Sequence, residues 1–227
     1  MNIDFKDVFI VAELSANHGG DIKVAIETIK AAKRAGANAI KLQTYTPNTM
    51  TINSKSEDFV INNGSIWDGE KFYDLYKKAY TPWEWHEELF EVAKNEDLIC
   101  FSTPFDKTSV DFLEKLNNPI YKIASFEITD IPLIEYVAKT GKPIILSTGI
   151  ATCEDIDLAI NTIRNQGNGQ IILLKCTSSY PAPISEANLI MIKDFKKRYN
   201  VISGLSDHTE GIIAPIVATT LGAKLIE

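Results

Sequence analysis

Apolar and polar positions along this chain follow two alternating periods. Short runs rich in β-branched residues recur from end to end: Val8–Leu14, Ala39–Tyr45, Leu98–Pro104, Tyr121–Ser125, Pro143–Gly149, Gln170–Cys176 and Val201–Asp207. Each reads as a strand buried in a parallel sheet. Between them the period becomes helical, over Ile22–Ala35, Pro82–Asn95, Ser109–Leu116, Ile131–Thr140, Glu154–Asn165, Ala187–Tyr199 and Ile212–Leu221. Thr81-Pro82 reads as an N-cap followed by a proline at the first helical position, and Gly36 and Gly141 stand where C-caps belong. Lys224–Glu227 reads as an eighth strand just before the sequence stops.

Strict alternation of strand and helix leaves an open doubly wound sheet or a closed barrel, and eight strands favour the barrel. The expected fold is therefore α/β, a (β/α)8 TIM barrel truncated at the eighth strand, with residues 1–227 as a single domain. No glycine-rich dinucleotide or P-loop fingerprint follows a strand, which argues further against the open sheet. The alternation fails once, between Thr46 and Ala79, where Asn53, Asn62, Asn63, Gly64, Trp67, Asp68 and Gly69 predict a long loop after the second strand. In a barrel that loop lies on the catalytic face, as a lid or partial cover; the plain alternative is a surface insertion.

Composition narrows the possible partners. The net charge of −7 opposes general affinity for nucleic acid or an anionic membrane, so an anionic substrate needs a local basic pocket. The opening MNIDFKDVFIVAELSANHGG has no basic region, and its apolar run is too short for a signal or a membrane span, which predicts a cytoplasmic protein. Cys100, Cys153 and Cys176 are too widely spaced for a zinc or disulfide framework and read as reduced, structural thiols.

Polar residues gather at the expected carboxyl ends of the strands, which in a barrel all open on one face. They are Glu13, Ser15, Asn17 and His18; Lys41 and Gln43; Ser102, Thr103 and Asp106; Lys122, Ser125 and Glu127; Ser147-Thr148-Gly149; Lys175 and Thr177 to Tyr180; and Ser206, Asp207 and His208. Lys41, Lys122 and Lys175 sit inside apolar strands, where an unpaired ammonium is costly. One such lysine is explained by a salt bridge, whereas three together point to an anion held at the barrel mouth. Ser125, Ser147, Ser178 and Ser206 would complete its cradle, although a single serine at a strand end is commonly just a helix cap. Glu13 and Glu127 suit proton transfer or hydroxyl recognition, unless each merely pairs with a lysine. His208 is a candidate metal ligand, His18 a possible participant in the same mouth, and His86 surface or packing material on a helix.

Eight motifs carry a resemblance: AELSANHGG, AIKLQTYTP, YTPWEWH, CFSTPFDKTSVDFLE, YKIASFEITD, STGIAT, LLKCTSSYPAP and GLSDHTEG. From about Phe9 onwards the chain resembles the sialic acid synthases, and YKIASFEITD with the WDG element resembles their pseudaminic branch. The neuraminate branch shows YKIGSGE instead. The resemblance implies phosphoenolpyruvate binding by Lys41, Thr103, Lys122, Ser125, Ser147, Ser178 and Ser206, with Ser178 a departure from the asparagine of neuraminate enzymes. It implies sugar contacts at Gln43 and Tyr180, catalytic carboxylates at Glu13 and Glu127, and a divalent ion, manganese or magnesium, with His208 as one of two histidine ligands. The other family histidine lies in an EKHF motif of which Glu227 is present.

The implied reaction joins phosphoenolpyruvate to an acetamido sugar, expected to be 2,4-diacetamido-2,4,6-trideoxy-altrose, in a cytoplasmic homodimer when full length. An N-acetylneuraminate or legionaminate synthase is the alternative with another sugar. A further alternative is a barrel that binds its ligands with weak or no turnover, since the family's C-terminal antifreeze-like domain is expected to be absent here.

Overall fold

The computed structural model describes residues 5–62, 64 and 67–227; Asn63, named above in the expected loop, lies outside the described residues. Eight parallel strands close into a barrel in the order of the sequence. They are β1 (Phe9–Glu13), β2 (Ala39–Thr44), β3 (Ile99–Pro104) and β4 (Tyr121–Ile123). The second half is β5 (Ile144–Ser147), β6 (Ile171–Cys176), β7 (Ile202–Ser206) and β8 (Leu225–Ile226). Closure rests on β8, which pairs with β1 through Leu225 beside Phe9 and with β7 through Ile226 beside Leu205.

Alternate residues of the strands point inward, and those at the lower end fill the barrel. Phe9, Val11, Ala39, Phe101, Ile120, Ile145, Ile172, Leu174 and Leu225 form this apolar plug. Gly204 belongs to the same interior, where a Cβ would collide with the Leu225 carbonyl and the Leu174 side chain, so glycine lets β7 and β8 approach. The outward residues pack under helices. The largest of these layers joins Leu133, Ile134, Ile160 and Phe195 of the helices to Tyr121, Ile123, Leu146 and Leu173 of the strands.

The helices are α1 (Ile22–Arg34), α2 (Pro47–Met50), α3 (Phe72–Ala79), α4 (His86–Asn95) and α5 (Lys107–Lys115). They continue as α6 (Ile131–Ala138), α7 (Cys153–Asn165), α8 (Met191–Tyr199) and α9 (Ile213–Thr220). Among the described residues no helix is long and apolar enough to cross a membrane. Several expected boundaries shift for local reasons. Asp106, expected among the mouth residues, caps α5 by accepting from the Thr108 and Ser109 amides and starts that helix early. Pro82 is extended and precedes a 3-10 turn at Trp83–Trp85, so α4 begins at His86 and Thr81 does not cap it. Asn188, with φ 41°, breaks the helical path, and α8 starts at Met191 rather than Ala187.

The segment after β2 is more ordered than expected. It contains α2, α3, a 3-10 turn at Glu57–Phe59 and an antiparallel bridge between Val60 and Lys71. Tyr76 of α3 packs edge-on against Tyr45 at 5.9 Å, and Tyr45 against Phe105 at 5.4 Å, which ties the segment to the ends of β2 and β3.

His86 is fully buried between α4 and the barrel. Its Nδ1 donates to the Pro82 carbonyl at 3.1 Å, so Nε2 accepts from the Thr44 hydroxyl at 2.8 Å, and Ser102 in turn donates to Thr44 at 2.6 Å. Burial holds the imidazole down to about 4, against 6.5 when free. The folded state therefore binds fewer protons than the unfolded chain, and stability present above pH 6.5 is lost as pH falls towards 4. Urea denaturation across that window is expected to show a loss on the order of 3 kcal/mol that His86→Gln removes. Equal pH slopes in the two proteins would refute it.

Candidate active site

Above the apolar plug, the same inward phase turns polar. Glu13 follows Val11, Lys41 and Gln43 follow Ala39, Thr103 follows Phe101, and Lys122 follows Ile120. Ser147 follows Ile145, Cys176 follows Leu174, Ser206 follows Gly204 and Glu227 follows Leu225. A cavity of about 410 Å³ opens here at the carboxyl ends of the strands. Its wall holds Glu13, Lys41, Gln43, Lys122, Ser125, Ser147, Tyr180, Ser206 and His208 from the expected set. Ser15, Asn17, Ala124, Phe126, Cys176, Asp207 and Glu227 complete it.

At the base lies a cluster of alternating charge. Lys41 is ion-paired to Glu13 and, at 3.1 Å, to Glu227, whose other oxygen is 3.0 Å from Lys122. Thr103 is not on the wall; its hydroxyl stands 3.4 Å from Lys41 Nζ and supports that lysine. Burial opposes the charge on Lys41, but Glu13 and Glu227 override it and raise the ammonium's pKa above its ordinary value. Burial works against Glu227 as well, yet Lys122 and Lys41 pull its carboxyl down to about 2. Glu13 shifts the other way, since burial outweighs Lys41 and raises its pKa. The salt-bridge explanation of the strand lysines thus holds for Lys41 and Lys122 beside their position on the cavity wall.

Lys175 departs from the expectation. It lies one residue out of the inward phase, away from the cavity wall, and donates to the Cys176 carbonyl at 2.6 Å and the Thr177 hydroxyl at 3.2 Å. Period-two geometry sends it to the opposite face from Leu174 and Cys176, so it is not an anion ligand of this cavity. His18 also leaves the mouth: it is buried against the Trp85 ring at 5.4 Å and lies 3.4 Å from the Thr81 hydroxyl.

Hydroxyls from neighbouring strands converge beside the charges. Ser125 and Ser178 hydrogen-bond to each other across Gly149, where a Cβ would overlap both side chains. Ser178 itself is set behind Ser125 rather than on the wall. Ser147 Oγ is buried without a hydrogen-bond partner, as is Oε2 of Glu127. Glu127 flanks the cavity without lining it, within electrostatic reach of Lys122 and Tyr76, and burial raises its pKa.

On the opposite side His208 donates from Nδ1 to the Thr177 carbonyl at 3.0 Å, leaving Nε2 as the nitrogen with a free lone pair. The Tyr180 ring lies 4.1 Å from the imidazole, and the Ala182 amide latches the loop by donating to the His208 carbonyl at 2.8 Å. Cys176 Sγ is 3.9 Å from His208 Nδ1. Burial favours the neutral thiol, but the imidazole lowers its pKa overall; burial likewise opposes the imidazolium, and Cys176 and Thr177 raise it. One imidazole does not make a metal centre, and no group of three or more His, Cys, Asp or Glu side chains suited to a metal ion gathers among the described residues. These residues alone therefore do not fit the expected divalent ion.

The NeuB family profile matches residues 28–227. The chain belongs to the NeuB family. A pseudaminic acid synthase of Campylobacter jejuni is 50% identical over 98% of this chain and 64% of its own length. A pseudaminic acid synthase of Helicobacter pylori is 54% identical over 96% of this chain and 64% of its own. The chain thus spans under two thirds of the length of these curated relatives. Among solved structures, the N-acetylneuraminic acid synthetase of Leptospira borgpetersenii superposes with a TM-score of 0.87 at 34% identity, covering 98% of this chain and 73% of that one. The NeuB barrel is thereby shared across products that differ in their sugar.

Within this NeuB barrel, sequence reasoning missed Cys176, which sits on the wall rather than in a structural role alone. It also left Glu227 as a motif remnant rather than the bridge between two lysines. The signal for both was the inward phase, since each lies two residues beyond an apolar plug residue. Cys100 is buried as expected, whereas Cys153 is exposed at the start of α7.

Proposed function

We propose that this NeuB barrel condenses phosphoenolpyruvate with 2,4-diacetamido-2,4,6-trideoxy-altrose to give pseudaminic acid and phosphate. The observation that carries the choice of sugar is the closer match to the two pseudaminic acid synthases than to the N-acetylneuraminic acid synthetase. The cavity supports the chemistry. Lys122, Lys41 and the hydroxyls of Ser125, Ser147 and Ser206 offer cations and donors to a phosphate and a carboxylate, with Thr103 and Ser178 steadying them from behind. Gln43 and Tyr180 lie on the wall with room for a polar sugar.

In the reaction the methylene carbon of phosphoenolpyruvate forms a bond to the aldehyde carbon of the open-chain sugar. The aldehyde oxygen gains a proton, and water adds to the cationic carbon that results. Phosphate then leaves with cleavage of its carbon–oxygen bond. Glu127, whose pKa burial raises, is the group assigned to protonate the new alkoxide and then accept a proton from the attacking water. Glu13 is the second carboxylate, on the cavity wall itself and oriented by Lys41 and by the Ser15 amide at 3.0 Å. His208 by itself does not hold a divalent ion, since one imidazole is short of the ligands such an ion needs. The proposal includes a cytoplasmic homodimer, in keeping with phosphoenolpyruvate as a cytoplasmic metabolite.

Phosphate release measured with phosphoenolpyruvate and each candidate sugar tests the reading. The trideoxy sugar is expected to be consumed with a kcat/KM at least about tenfold above that of N-acetylmannosamine, the discrimination a few apolar contacts supply. The reverse preference overturns the assignment.

A further inference from the structure

The base of the cavity holds a feature that the proposed reaction does not use. The backbone of Glu227 is pinned on both sides, its amide donating to the Leu205 carbonyl at 2.9 Å and its carbonyl accepting from the Asp207 amide at 2.8 Å. From this fixed point the buried carboxylate gives one oxygen to Lys41 and the other to Lys122, at 3.1 and 3.0 Å. This is the bridging geometry that the carboxylate or phosphate oxygens of a ligand would adopt on the same two ammonium groups.

The charges balance without any ligand. Lys41 and Lys122 are offset by Glu13 and Glu227, and Lys41 has Glu13, Glu227 and the Thr103 hydroxyl around its three protons. A polyanion entering the cavity therefore meets a neutral cluster, and it gains the lysines only by taking contacts from a carboxylate already there. Glu227 is the carboxylate that touches both.

We propose that Glu227 is a built-in competing anion: it occupies the Lys41–Lys122 pair in the free protein, yields contacts to an incoming phosphate-bearing ligand, and returns to them as the anion leaves. Its effect is to weaken anion binding and hasten release of phosphate. The ligand class rests on the reading above, whereas the competition itself is tested without any sugar.

Isothermal titration of wild-type protein, Glu227→Gln and Glu227→Asp with inorganic phosphate, and separately with phosphoenolpyruvate, reads the effect. Removing one charge beside the anion is expected to lower the dissociation constant at least about tenfold in Glu227→Gln. The shorter Glu227→Asp, which cannot span both lysines, is expected to fall between, and it carries the test should the glutamine variant not fold. Melting of the ligand-free variants is expected at lower temperature than wild type, with a larger rise on adding phosphate. Unchanged or weaker anion binding in a folded variant overturns the proposal, because loss of a purely structural contact lowers the melting temperature without tightening the anion. Turnover of a different sugar would sink the substrate assignment and leave this result standing.

Discussion

Glu127→Gln is expected to lower kcat about 10²- to 10⁴-fold while the KM for phosphoenolpyruvate moves by less than about threefold. The side chain is isosteric, so the fold and the Lys122 and Tyr76 surroundings of Glu127 are kept, and only the proton is lost. Three observations support an effect of that size. Oε2 of Glu127 is buried without a hydrogen-bond partner, burial raises its pKa, and the residue opens a 3-10 turn at Glu127–Thr129 that is held by the Asp130 amide on the Glu127 carbonyl at 2.9 Å. A group with a raised pKa keeps its proton to higher pH than an ordinary carboxyl, which suits an acid that must later act as base. The kcat of wild type should decline on the alkaline side as Glu127 ionises, and the variant should lose that limb. A variant with near-normal kcat would move the proton transfer to Glu13.

Lys41→Met should be the most destabilising single change in the barrel. Lys41 is 5% exposed and is ion-paired to Glu13 and Glu227 at once. Removing it leaves the buried Glu227 and the half-buried Glu13 close together, with Lys122 as the remaining cation, and breaking a buried pair from one side costs about 3–5 kcal/mol. Urea denaturation at neutral pH reads that loss. The double variant Lys41→Met with Glu13→Gln should recover part of it, since one of the stranded charges is gone. A loss under about 1 kcal/mol would show that the cluster opens to water and behaves as a surface pair.

The barrel was legible because its two periods are clean: every expected strand exists, and the helices differ mainly at their starts. The differences have local causes. Ala187 to Ile190 carry helical residues, but Asn188 takes a left-handed conformation that ends the periodic path. α2 and α3 were hidden because Pro47–Met50 and Phe72–Ala79 are too short for a helical period to stand out from the surrounding asparagines and glycines.

In the site, Lys41 and Lys122 were found because an ammonium in an apolar strand demands an explanation. Lys175 meets the same criterion yet stands off the cavity wall, since position within a strand does not say which face a residue takes. Phase separates them, because Lys41 shares the face of Ala39 while Lys175 opposes that of Leu174. Glu227 was harder, as β8 is only Leu225–Ile226 and too short to show an alternation of its own. The Ser125–Ser178 contact lies past the strand ends, where period-two reasoning no longer says which side chains meet.

That contact crosses Gly149, and its consequence lies in how the sequence is free to drift. Residues following three consecutive strands, β4, β5 and β6, share one small volume in which no atom can be added without displacing another. A longer residue in place of Ser178 needs a compensating change at Ser125, and any side chain at Gly149 excludes both hydroxyls. Substitutions along this seam are thus expected to be epistatic, since one of them introduced alone into this background meets a clash that a matched change at its neighbour would relieve.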